Sequence, residues 1–177
     1  MRESDRIRRQ SRRIALCGLL AALTTALLAL GSLIPLAAVA CPMLAMVCLL
    51  PVVLLYGPGA ALLVYAGAAL LALLLCADKE PALLYVFLGW YPALRPRLSR
   101  LPRLFRVPVK CALFSLAVSA MYALALHLFR MEAIVEEFAG YSTAMTLGLL
   151  ALGNVVFLLF DRCLGTLSPL LRAKLLK

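Results

Sequence analysis

Six stretches free of Asp, Glu, Lys and Arg recur along this 177-residue chain, at 14–34, 36–56, 59–77, 82–94, 111–129 and 143–160. A helix rises about 1.5 Å per residue, so some 20 apolar residues cross a hydrocarbon layer roughly 30 Å thick. Five of the stretches have that length or come close to it. The fourth crosses only as 80–94, borrowing Glu80 and Pro81 at one end and using Trp90 and Tyr91 as interfacial anchors at the other. Otherwise it is re-entrant and the number of crossings is odd. The chain is 65% apolar and 15% charged, with a mean hydropathy of +1.02. Soluble domains run near half apolar with about a quarter charged, so a secreted disulfide scaffold, a disordered tail and a nucleic-acid-binding domain are excluded together. The expected fold class is all-α, a polytopic membrane protein built as a compact six-transmembrane-helix bundle.

Charge placement sets the expected topology. The net charge is +10, and sixteen of the 18 basic residues fall in three places: the N-terminal segment 1–13, the connector 95–110 and the tail 161–177. With six crossings all three lie on one side. The opposite loops then hold only Lys79 and Arg130 among the bases, together with Asp78, Glu80, Glu132, Glu136 and Glu137. Cytoplasmic loops carry the excess of Lys and Arg, so both termini are expected in the cytoplasm, with the transmembrane domain spanning 14–160. A five-crossing chain would separate the tail from the other basic segments.

A basic start, an apolar stretch and Ala38-Val39-Ala40 before Cys41 resemble a secretory signal with its cleavage site. The apolar region is longer than an ordinary signal and runs straight into another span, so it is read as membrane helix. The six cysteines are scattered through the spans without CxxC spacing, which suggests neither a metal site nor a disulfide framework. His127 is the one histidine, read as an interfacial residue or as a proton or ligand contact. No HExxH, GxSxG or Walker loop occurs. An enzyme is therefore not expected, nor a metal or other cofactor.

Four features carry more. Gly18, Ala22 and Ala26 follow one another at spacings of four in the first helix, a small-residue face suited to close approach of another helix, either within the chain or on a partner subunit. Asp78, Lys79 and Glu80 are consecutive charges in a tight turn and must lie at the membrane surface, as a solvated loop or as contacts to a polar ligand. In the connector, Arg95, Arg97, Arg100, Arg103 and Arg106 alternate with Leu98, Leu101, Leu104 and Phe105, a pattern that suits a segment lying on anionic membrane lipid. Asn154 is an amide inside the sixth span and needs a partner.

The first helix, RRIALCGLLAALTTALLAL, its GSLIP turn and the acidic outer loop between helices three and four resemble the substrate-binding S components of energy-coupling factor vitamin transporters. The resemblance covers the whole chain in topology. It implies that Gly18, Ala22 and Ala26 dock a transmembrane coupling subunit driven by separate cytoplasmic ATPases. It also implies that a small polar nutrient such as a vitamin is held on the outer side by the loops after helices one, three and five. Asp78, Lys79, Glu80, Arg130, Glu132 and Asn154 are then the candidate substrate contacts, in a protein of the bacterial cytoplasmic membrane. The rod-shape-determining membrane protein of bacterial cell-wall assembly is similar in size and helix count, and implies instead a scaffold that transports nothing.

Overall fold

The computed structural model describes residues 2–34, 37–99, 102–127 and 143–175, and every regular element among them is helical. The elements are α1 (Arg2–Gly31), α2 (Ala40–Cys48), α3 (Leu50–Leu75), α4 (Glu80–Leu88), α5 (Tyr91–Leu98), α6 (Arg103–His127) and α7 (Thr143–Leu175). They fall into two units, Met1–Pro96 with Leu167–Lys177, and Arg97–Thr166.

Four helical segments are long and apolar enough to cross a bilayer: Arg6–Gly31, Leu50–Leu75, Phe105–Leu124 and Met145–Lys174. They mark a membrane protein. The distribution of side chains on α3 agrees, since Ala60, Ala61, Val64, Ala68, Ala69 and Ala72 are buried while Leu63, Leu70, Leu74 and Leu75 are 65–79% exposed. A water-soluble helix turns its leucines inward. In lipid there is no hydrophobic force between helices, so small residues go inside, where they permit close packing, and leucines face the acyl chains.

Two prolines shape the stretch from Ala40 to Leu75. Pro51 has no N–H to give to the carbonyl four residues earlier. Leu49 stays in the right-handed helical region and its N–H bonds the Met46 carbonyl at 3.2 Å, so α2 and the start of α3 form one slightly distorted run. At Gly57 the run ends. Its φ of 85° and ψ of 174° leave helical geometry inside α3, a backbone state open to glycine, and the proline that follows favours an extended ψ. The long helix is thus two pieces, 50–56 and 58–75. By contrast α4 and α5 nearly join, because Gly89 keeps φ −64° and ψ −20° and the Leu94 N–H reaches the Trp90 carbonyl at 3.3 Å.

In the first unit α1 packs on α2 and α3, and α4 packs on both of these. The inner face of α1 carries Thr24, Thr25, Leu28 and Gly31. The two threonines bury their hydroxyls by donating to the Leu20 and Ala21 carbonyls of their own helix, at 2.7 and 3.0 Å. A Cβ added at Gly31 would stand 2.8 Å from the Cys41 Cβ, so a glycine there is what lets α1 approach α2. Tyr85 and Tyr91 are fully buried; Tyr85 stands 5.5 Å from Tyr65, ring centre to ring centre, and the Tyr65 hydroxyl donates to the Val86 carbonyl.

In the second unit α6 and α7 run antiparallel. Their pairing follows from three contacts: Lys110 with Asp161, Phe114 stacked on Phe157 at 4.8 Å, and Ser115 with Asn154. Gly153 gives the Phe114 ring its space, since an added Cβ would lie 3.2 Å from it. The basic tail of the sequence continues as helix through Leu175, and the N-terminal segment is helical from Arg2.

Candidate functional site

The turn between α3 and α4 gathers Asp78, Lys79 and Glu80, all partly exposed. A helix ends with carbonyls that have no partner in the helix, and these attract cations. Lys79 serves that need at α3, where its Nζ donates to the carbonyls of Leu73 and Cys76 at 3.0 and 2.5 Å. Helix beginnings present free N–H groups, and the Asp78 Oδ1 accepts the Glu80 N–H at 3.1 Å. Glu80 itself sits in the first turn of α4, where a carboxylate complements the helix dipole. The turn therefore uses its charges to close one helix and open the next, with its two carboxylates partly exposed beside the capping lysine.

Asn154 lies in the second unit. Its Nδ2 donates to the Ser115 hydroxyl at 3.0 Å and to the Leu150 carbonyl at 2.9 Å. Its Oδ1 is buried with no partner among the described residues, and the same holds for the Tyr85 hydroxyl in the first unit. Arg130 and Glu132 lie outside the described residues. So Asp78, Lys79 and Glu80 are brought together by one turn, whereas Asn154 belongs to a separate helix pair.

The interaction that sequence reasoning missed is the pair formed by Lys110 and Asp161. Their Nζ and Oδ2 are 2.5 Å apart with side chains 5% and 12% exposed. The sequence reading placed Lys110 in the surface connector and Asp161 in the tail; both stand inside helices, facing each other. The signal that could have found them is positional. Each is a charge within a turn or two of an apolar run, and opposite charges at matching depths of two antiparallel spans pair to escape the hydrocarbon.

Gly18, Ala22 and Ala26 are all exposed on α1, whereas Thr24, Thr25 and Leu28 are buried. A Cβ at Gly18 would meet nothing within 4 Å. Within the described first unit, close approach of helices is made at Gly31 instead. Cys17, Cys41, Cys48, Cys76, Cys111 and Cys163 are free thiols, and no group of three or more His, Cys, Asp or Glu among the described residues is placed to hold a metal ion. No family model, no curated protein and no solved structure matches the chain.

Proposed function

We propose that this protein is a six-crossing S component of the bacterial cytoplasmic membrane, which captures a small polar nutrient such as a vitamin and docks on a coupling subunit driven by separate ATPases. The observation that carries the reading is the exposed small-residue face of α1. Gly18, Ala22 and Ala26 are exposed, an added Cβ at Gly18 would meet nothing within 4 Å, and a face of small residues is what another membrane helix needs for close contact. Asp78, Glu80, Arg130, Glu132 and Asn154 remain the candidate substrate contacts, with Lys79 holding the turn in place.

Six crossings follow if the break at Gly57 is a turn at the membrane surface. Arg13 lies over the Tyr56 ring at 5.2 Å, which supports a turn on the same side as the basic N-terminal segment. α2 with the first piece of α3 then makes the second crossing, and 58–75 the third. Both termini lie in the cytoplasm on this reading. Pro58→Cys, in a chain whose native cysteines are replaced by alanine, is expected to react with an impermeant maleimide from the same side as a cysteine placed at Arg2. Protection of position 58 from both sides overturns the turn and returns Leu50–Leu75 to a single crossing.

Docking is tested by purification from the native membrane. Gly18→Leu with Ala22→Leu is expected to abolish recovery of the coupling subunit and its ATPases while leaving insertion intact; unchanged recovery refutes the docking face. Mass spectrometry of the same wild-type sample is expected to detect a retained polar small molecule. The second reading, a non-transporting scaffold of cell-envelope machinery, draws on the turn at Asp78 and Lys79, whose side chains cap the ends of α3 and α4. Recovery of cell-shape proteins with no retained small molecule is the result that favours it.

A further inference from the structure

We propose that an open groove between α1 and α3 seats an anionic phospholipid of the leaflet on the side of the N-terminal segment. The groove encloses about 800 Å³. From α1 it is lined by Arg6, Gln10, Arg13, Cys17, Gly18 and Ala21, positions that follow one face of a helix. From α3 it is lined by Tyr56, Ala60, Val64, Gly67 and Leu71, again one face.

The two walls divide the groove chemically. One end carries two guanidinium groups and an amide, with Arg13 held over Tyr56. The remainder is apolar and floored by glycines; an added Cβ at Gly18 or Gly67 would meet nothing within 4 Å. Among the described residues that line it, none is acidic. Guanidinium matches phosphate oxygens in bidentate geometry, and basic pockets between membrane helices at the cytoplasmic level hold anionic headgroups. The distance from Pro58 to Gly67 along the second piece of α3 is about 14 Å, close to the hydrocarbon thickness of one leaflet. One end thus fits a phosphate and the rest an acyl chain, a combination that a free anion or a wholly apolar partner helix uses only in part. Gly18 belongs both to this groove and to the face proposed for the coupling subunit, but the lipid site requires only that α1 and α3 lie in a bilayer.

The test uses the full chain, delipidated in detergent and followed by native mass spectrometry. It is titrated with phosphatidylglycerol, with phosphatidylcholine of the same chains, and with glycerol 3-phosphate alone. Wild type is expected to retain phosphatidylglycerol in preference to phosphatidylcholine, and Arg6→Gln to weaken that preference roughly fivefold. Gly67→Leu fills the apolar part with its charges intact and is expected to lower retention of both lipids. Equal retention of the two lipids by wild type overturns the proposal, as does retention unchanged by both substitutions. Binding of glycerol 3-phosphate as tight as that of the lipid assigns the arginines to a free anion, and a protein that stays bound and excludes both lipids assigns the groove to a partner; either result also overturns it.

Discussion

Lys110→Met is expected to destabilise the protein by about 3–5 kcal/mol, because it removes the lysine that pairs with the largely buried Asp161 carboxylate. The matching change, Asp161→Leu, strands the lysine and is expected to cost a similar amount. The double variant Lys110→Met with Asp161→Leu removes both charges and keeps apolar volume between α6 and α7, so most of the loss should return. Unfolding of the purified protein in mixed detergent micelles measures all four members of the cycle. The pair acts as a register lock if the double variant recovers stability. A loss in the double variant equal to the sum of the two single losses would show that the two side chains do not depend on each other.

Gly89→Ala is the second large effect. The added methyl would stand 2.5 Å from the Tyr85 carbonyl oxygen and 2.9 and 3.0 Å from two Tyr65 ring carbons. The nearest of these atoms is backbone, so the clash cannot be relieved by a swinging side chain. Overpacking of this kind costs about 1–3 kcal/mol, and here it also disturbs the hydrogen bond from the Tyr65 hydroxyl to Val86. Tyr65→Ala removes the ring that the methyl meets, so the two substitutions together should cost less than their sum. Strict additivity in the same unfolding assay would remove the Tyr65 contact from the explanation.

Much of the helical layout is legible from short-range signals. The apolar runs predict helices, and the proline-bearing turns near Pro35, Pro58 and Pro81 predict where several of them stop. At Gly57-Pro58 the sequence marks the place where helical backbone breaks inside a continuous apolar stretch. The fourth helix shows the opposite. Its apolar run ends at Leu94, while α4 and α5 carry helical backbone to Leu98 across Gly89, since lysine and arginine side chains do not prevent helix formation.

The candidate site is less legible. Asp78, Lys79 and Glu80 are conspicuous as a charge cluster, but sequence spacing does not tell a ligand contact from a helix cap; that depends on which carbonyls the lysine reaches. The docking face is a case of the same kind. Gly18, Ala22 and Ala26 and, farther along, Gly31 are all small residues on α1, and only packing separates the exposed ones from the one pressed against Cys41.

By itself the sequence determines that this protein lives in lipid and is made of helices, because bilayer-length apolar runs and their charged ends are properties of consecutive residues. Tertiary structure alone decides which of those residues meet. Lys110 and Asp161 are separated by 51 positions and Asn154 and Ser115 by 39, and they become partners only in the antiparallel register of α6 and α7. The groove between α1 and α3 likewise exists only once two separate helical faces stand side by side. Contacts of this kind depend on the relative rotation and depth of helices, and in a nearly uniform apolar sequence many rotations carry almost the same local signal.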